Sequence, residues 1–164
     1  MKTVIFFRHG KSDWNANFGA DHERPINKRG REASARMGRF LADAGQLPDR
    51  IITSSAVRAR ETLERAAKDG EWGEISTLVT RDLYEASPSA VLDVIRSEDD
   101  DLTRLLLVGH EPTWSDAIGR MIGGGRIKMS TATMARVDFE ITSWQEVDFN
   151  QGVLKWLVPP KSLK

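Results

Sequence analysis

The chain contains no cysteine, which excludes disulfides, thiolate metal sites and a cysteine nucleophile. This absence is compatible with a reducing compartment, and we expect a cytoplasmic protein. Long apolar runs are lacking as well. The run at residues 4–7 is too short for a signal peptide, and no later run approaches the roughly 18 residues that a membrane-spanning helix needs. We therefore expect no membrane association.

Net charge is also lacking, because 24 Lys and Arg are balanced by 24 Asp and Glu. A neutral chain argues against a nucleic-acid binder that relies on a broad basic field. The charges are unevenly distributed, however. Residues 1–60 hold 12 basic and 6 acidic side chains, whereas the remainder holds 12 basic and 18 acidic ones. A basic N-terminal part is suited to an anionic ligand, although a solvated helix face would give the same count.

Short apolar segments rich in β-branched residues alternate along the chain with amphipathic segments. This alternation predicts an α/β fold, a three-layer α/β/α sandwich whose sheet is mostly parallel with an antiparallel edge strand. We expect one domain over residues 1–164. The predicted strands are 2–8, 50–55, 74–80, 104–110, 132–141 and 152–158, and the predicted helices are 27–44, 57–68, 87–97 and 112–124.

Polar side chains follow three of the predicted parallel strands at the point where each strand ends. Ligands of such sheets bind beyond the carboxyl ends of the strands, so these residues should lie together. Two of the three histidines in the chain are among them. The clusters are Arg8-His9, Thr53-Ser54-Ser55 with Arg58 behind them, and Gly109-His110.

A zinc site and a phosphate site compete as explanations for paired histidines. Arg8 and Lys11 flank His9 and would repel a dication, and the chain has no HExxH or HxH spacing. We therefore predict no metal. Guanidinium and imidazole groups suit the oxygens of a phosphoryl group instead. A neutral imidazole is also a nucleophile that can form a phosphoramidate, which water later hydrolyses.

Four motifs, in order along the chain, resemble those of the histidine phosphatase superfamily, also called the phosphoglycerate mutase-like superfamily. They are RHGKSDWN (8–15), PINKRGREAS (25–34), SSAVRARET (54–62) and VGHEPT (108–113). The resemblance implies a phosphoglycerate mutase-like fold and phosphoryl chemistry without a metal or organic cofactor.

The resemblance also implies a role for individual residues. His9 matches the phosphoacceptor nucleophile, and Arg8, Arg58 and His110 match the rest of the phosphate pocket. Asn15 matches an additional phosphate contact. Ser12 stands at a small hydroxyl position, where it either touches the pocket or caps a turn. We expect His22, in a polar loop, to be exposed; a contact with substrate at the rim of the pocket is the alternative.

The proton donor for the leaving group is less well defined by the resemblance. Glu85 in the stretch DLYEAS is the preferred candidate, and Asp82 and Asp13 are weaker ones. His110 or water could donate the proton instead. Glu85 would then have no catalytic role and would simply face solvent.

Two departures from the longer mutases narrow the function. Lys11 stands where those enzymes usually have glutamate, and the chain has no room for large insertions over the site. A short chain of this kind is similar to the SixA-type phosphohistidine phosphatases, which implies a phosphorylated protein as substrate. The alternatives are a phosphatase of small phosphate esters, a phosphoglycerate mutase-like enzyme, or a non-catalytic module that binds phosphorylated ligands. The role of Lys11 stays open.

Overall fold

A computed structural model describes residues 1–163. It contains six strands and four α-helices, and their bounds lie within two residues of the predicted ones, except that α4 ends three residues earlier than predicted. The strands are β1 (Lys2–Arg8), β2 (Arg50–Ser54), β3 (Ser76–Thr80), β4 (Arg104–Gly109), β5 (Met134–Phe139) and β6 (Val153–Val158). The helices are α1 (Lys28–Asp43), α2 (Val57–Asp69), α3 (Pro88–Arg96) and α4 (Thr113–Met121).

All six strands form one sheet in the order β3-β2-β4-β1-β5-β6. The first four in this order are paired in parallel, which confirms the predicted mostly parallel sheet. β5 pairs antiparallel with both β1 and β6. The strand of reversed direction is therefore second from the edge, and the edge strand β6 runs in the same direction as the parallel four.

Two hydrophobic cores lie on the two faces of the sheet and make the predicted three layers. Alternate residues of β1 enter opposite cores: Val4 and Phe6 pack with α3 and α4, while Ile5 and Phe7 pack with α1 and α2. A strand that is buried on both faces needs apolar residues at every position. This requirement explains why β1 lacks the polar alternation of a surface strand.

Helix starts follow the local sequence. The Asn27 side chain accepts a hydrogen bond from the Gly30 N–H and caps α1, and Ser87 caps α3 in the same way, with Pro88 in its first turn. Within the described part of the chain, no helix has the length and apolarity to cross a membrane.

Candidate active site

The central strands β1 and β4 bring two histidines together at their carboxyl ends. Arg8 is paired with Gly109 in the parallel register, and the His9 N–H donates to the Gly109 carbonyl over 3.0 Å. The imidazole rings of His9 and His110 lie 5.3 Å apart between centroids, and each residue is only 7% exposed. The two strand-end histidines thus share one nearly buried site.

The hydrogen bonds of His9 fix its tautomer. Its Nδ1 lies 2.7 Å from the Gly10 carbonyl oxygen, which can only accept, so Nδ1 carries a proton. Burial, together with the charges of His110, Arg58 and Arg8, lowers the His9 pKa to about 3. The ring is therefore neutral near pH 7, and its Nε2 presents a free lone pair.

Close backbone packing holds this loop in place. A Cβ on Gly10 would lie 2.7 Å from the Gly30 carbonyl oxygen, so the loop approaches α1 as closely as it does only because residue 10 has no side chain. The Gly10 N–H donates to Thr62 Oγ1 over 2.9 Å, and the Thr62 hydroxyl donates to the Arg58 carbonyl over 2.7 Å. The loop of His9 is thus joined to α2, which carries Arg58.

His110 is oriented by the end of β2. Its Nε2 lies 2.8 Å from the Ser54 hydroxyl, while its Nδ1 is buried without a hydrogen-bond partner among residues 1–163. Burial, reinforced by the positive charge of Arg58, lowers the His110 pKa to about 4. A second neutral imidazole therefore stands beside His9 with one ring nitrogen unused.

Two arginines complete the cluster predicted from the sequence. Arg8 donates to the Met129 carbonyl over 2.9 Å, and Arg58 donates to Asp21, through Nη1 to the carbonyl over 2.9 Å and through Nη2 to Oδ2 over 3.1 Å. The charges of both arginines act on His9 and His110. Burial lowers the Arg8 pKa, and the negative charge of Glu111 opposes this effect.

The Asp21 carboxylate, which the sequence analysis did not assign to the site, occupies the centre of a polar network. It accepts hydrogen bonds from Arg58, Arg24 and the Tyr84 hydroxyl, the last over 2.7 Å. The hydrogen bond from Tyr84, with the hydrogen bond from Arg24 and the charges of both arginines, outweighs partial burial and lowers the Asp21 pKa to about 2. The sequence feature that could have indicated a role for Asp21 is its spacing, three residues before Arg24 in the loop between His9 and α1.

Tyr84 links this network to His110. Its ring is 5.7 Å from that of His110 and 4.8 Å from that of His22, both edge to face. Burial, the hydrogen bond to Asp21 and the charges of Asp21 and Glu85 raise the Tyr84 pKa to about 12. The phenol is thus a fixed hydrogen-bond donor at the rim of the site.

The prediction for His22 was wrong. His22 is half-buried rather than exposed, and its Nε2 lies 2.8 Å from the Ser55 hydroxyl. The short helical turn at Asp21–Glu23 brings His22 to the residue that follows β2. A polar local sequence did not reveal this long-range contact.

The remaining sequence candidates lie at or beyond the rim. Glu85 is exposed and has a positive φ of 55°, and its charge contributes to the raised pKa of Tyr84. Asn15 is exposed, and its side chain makes no hydrogen bond within residues 1–163; its N–H donates to Asp13. Ser12 pairs through its backbone with Ile26. Asp82 is exposed.

The described residues contain no group of three His, Cys, Asp or Glu side chains arranged to hold a metal ion. A cavity of about 630 Å³ lies beside α4, lined by residues such as Ser115, Arg120 and Arg126. None of the four predicted pocket residues lines it. The chemistry is therefore concentrated at the strand ends rather than in this cavity.

The sheet order and the arginine–histidine cluster at the strand ends define an α/β protein of the phosphoglycerate mutase-like class. A family model described as histidine phosphatase superfamily (branch 1) matches residues 4–91, more than half of the chain. The chain belongs to the histidine phosphatase superfamily, as the sequence motifs predicted. Membership implies phosphatase or mutase chemistry on a phosphoryl group.

The relatives place the chain near SixA in fold. A structure of the protein histidine phosphatase SixA complexed with tungstate superimposes with a TM-score of 0.84 at 21% identity, covering 99% of both chains. A SixA structure from Agrobacterium tumefaciens gives 0.80 at 24% identity, covering 97% of this chain and 98% of that one. An uncharacterised chloroplastic protein of Arabidopsis thaliana is 29% identical over 98% of this chain and 79% of its own length.

Proposed function

We propose that the protein is a phosphatase that works through a phosphohistidine intermediate on His9. The observation that carries this proposal is the state of that ring. His9 is neutral, its Nδ1 proton is held by the Gly10 carbonyl, and its Nε2 is free beside two arginines and a second histidine. These are the properties of an activated nitrogen nucleophile held rigidly over an anion-binding pocket.

The phosphoryl group would be held by Arg8, Arg58 and His110. Each of these side chains has a buried nitrogen without a partner among the described residues, namely Nε of both arginines and Nδ1 of His110. Buried polar atoms of this kind are costly unless a ligand forms hydrogen bonds with them. Stabilising the charge on the transferring oxygens is the main catalytic task in phosphoryl transfer. We keep Asn15 as a proposed additional contact, reached from the exposed segment that it occupies.

The reaction has two balanced steps. In the first, the Nε2 lone pair forms a P–N bond as the bond from phosphorus to the leaving oxygen or nitrogen breaks, and the leaving atom takes a proton from an acid. In the second, water attacks phosphorus, the P–N electrons return to Nε2, and the conjugate base of the acid accepts the water proton. Inorganic phosphate is released.

Glu85 is our preferred acid for the first step. Glu85 directly follows Tyr84, whose ring lies 5.7 Å from that of His110, and its charge acts on the Tyr84 pKa; both observations support this assignment. Glu85→Gln should lower turnover most on substrates with poor leaving groups, because good leaving groups depart without a proton. Equal losses on p-nitrophenyl phosphate and on an alkyl phosphate would contradict the role of Glu85 as the acid.

The substrate that we propose is a phosphohistidine side chain on a protein. The likeness to SixA supports this choice, as does the shape of the chain around the site. The strands that carry His9 and His110 lead into α1 and α4 through the segments 9–27 and 110–112, with no inserted domain. Such a site accepts a side chain presented on a protein surface. Small phosphate monoesters are the second candidate, since the same opening admits them.

The test is hydrolysis of a phosphohistidine-bearing protein and of p-nitrophenyl phosphate by the wild type and by His9→Ala. We expect the wild type to hydrolyse both, with kcat/KM higher on the phosphoprotein. We expect an acid-labile phosphoenzyme, which His9→Ala should not form. Retained turnover in His9→Ala would overturn the mechanism, and binding without turnover by the wild type would indicate a phosphate-binding module.

A further inference from the structure

A second feature rich in cations lies next to the proposed nucleophile. Lys11, Arg29, Arg36 and Lys161 line an open cavity of about 280 Å³, together with small or apolar neighbours such as Thr131. We name this cavity the basic groove. Its charged lining comes from three separate parts of the chain: the loop after β1, the exposed side of α1, and the C-terminal segment. Only the folded chain brings these cations together.

The basic groove carries positive charge that is not neutralised locally. None of its four cations takes part in an ion pair within residues 1–163, although eight other basic residues do. Of the four, Arg36 makes a hydrogen bond, to the Pro160 carbonyl over 3.3 Å. Four clustered like charges on a protein of zero net charge repel one another. An anionic ligand would relieve that repulsion.

The basic groove adjoins the site of the proposed reaction. Lys11 is two residues after His9, and its carbonyl accepts the Asn27 N–H over 2.8 Å, which ties it to the start of α1. On the other side, the Ala132 N–H donates to the His9 carbonyl over 3.0 Å, so Thr131 is also next to the His9 backbone. The basic groove therefore begins within two residues of His9 in the chain.

The extent and chemistry of the groove indicate what it binds. Arg29 and Arg36 are two helical turns apart, or about 10 Å along α1, which is longer than one phosphate group. Among residues 1–163, no aromatic side chain lines the cavity to stack on nucleic-acid bases. We propose that the basic groove binds an acidic segment of the phosphorylated protein substrate. This inference rests on the proposed function and assigns a role to Lys11.

Electrostatic binding in the basic groove should act mainly on the rate at which the protein associates with its substrate. Complementary charges at a rim raise association rates about tenfold or more at low salt, and the effect is screened as salt rises. A substrate with carboxylates beside the phosphohistidine should therefore be preferred at low ionic strength. At high ionic strength, the ratio of the kcat/KM values for substrates with and without these carboxylates should approach one.

The experiment compares two synthetic phosphohistidine peptides that differ only in three flanking residues, glutamate in one and glutamine in the other. The variant is Arg29→Glu with Lys161→Glu, and the control is Lys68→Glu, which changes an exposed lysine of α2 outside the groove. Glutamate is favoured in the first turn of a helix, so the Arg29 change should not destabilise α1. p-Nitrophenyl phosphate reports the chemical step in every protein.

We expect the wild type and Lys68→Glu to prefer the glutamate peptide by about tenfold in kcat/KM at low salt. The double variant should lose this preference and keep its activity on p-nitrophenyl phosphate. A preference that survives in the double variant, or that is lost equally in Lys68→Glu, would overturn the inference.

A binding measurement separates this inference from the proposed function. Wild-type protein is titrated with unphosphorylated hexaglutamate, hexaglutamine and a thymidine hexanucleotide. Selective binding of hexaglutamate, abolished in the double variant, would support the groove even if the protein hydrolysed neither phosphopeptide, an outcome that would refute the phosphatase proposal alone. Tighter binding of the hexanucleotide, or no binding of hexaglutamate, would refute the groove.

Discussion

Replacing Asp21 with asparagine tests the polar network at the rim of the site through a single spectroscopic signal. Tyr84 is the only tyrosine in the chain, so tyrosinate absorbance reports one residue. Its hydroxyl donates to Asp21 Oδ2 over 2.7 Å. A carboxylate acceptor favours the neutral phenol over the anion, by both the hydrogen bond and its charge. Removing that carboxylate should therefore lower the Tyr84 pKa.

The magnitude follows from the causes of the raised pKa. The Tyr84 pKa of about 12, against an ordinary value of 10.0, corresponds to about 3 kcal/mol in favour of the neutral phenol. Burial makes the largest contribution and survives the substitution. Because the Asp21 side chain is 51% exposed, solvent screening reduces its share to about 1 kcal/mol. That share predicts about a fivefold rise in the ratio of tyrosinate to phenol at a fixed pH.

The assay is ultraviolet difference absorbance after a stopped-flow jump to alkaline pH, which reads the folded protein before it unfolds. Far-ultraviolet circular dichroism at the same delay confirms that the fold is retained. We expect the midpoint to move from about 12 in the wild type toward 10.0 in Asp21→Asn.

Glu85→Gln provides the matched control, since it also removes one carboxylate beside Tyr84. Glu85 contributes less than Asp21 to the raised pKa, so its replacement should shift the midpoint less. An unchanged midpoint in Asp21→Asn, or a larger shift in Glu85→Gln, would refute the network as described.

Two further predictions concern the loop and the buried histidines. A Cβ on Gly10 would lie 2.7 Å from the Gly30 carbonyl oxygen. Gly10→Ala should therefore lower the free energy of unfolding, measured by urea denaturation, by about 1–3 kcal/mol. An unchanged free energy of unfolding would contradict the close packing. Folding lowers the His110 pKa from 6.5 to about 4. Between these two pH values the unfolded chain binds more protons than the folded protein, so the free energy of unfolding decreases as the pH falls from 6.5 to about 4. In His110→Asn the free energy of unfolding should decrease less steeply with falling pH, by about 1 kcal/mol per pH unit, when unfolding is measured at several pH values. An equal pH dependence in the variant and the wild type would contradict a buried neutral ring.

Much of the fold was predictable because it depends on short-range pattern. The apolar run of β1 predicts a strand buried on both faces, and Asn27 and Ser87 mark helix starts through local hydrogen bonds. The motifs around His9 and His110 indicated the family. Parallel strands bring their carboxyl ends to one edge, so the meeting of these two rings followed from the predicted topology.

The sequence by itself determined which residues end the strands, and hence that His9, His110, Arg8 and Arg58 belong to one edge of the sheet. Only the tertiary structure decided the protonation of the rings, because burial and the Gly10 carbonyl depend on packing. It also decided the distant pairings. Asp21 meets Tyr84 across 63 positions, and the groove joins Lys11 to Lys161. Local propensity carries no information on such contacts, since they form only when the sheet fixes where each loop lies.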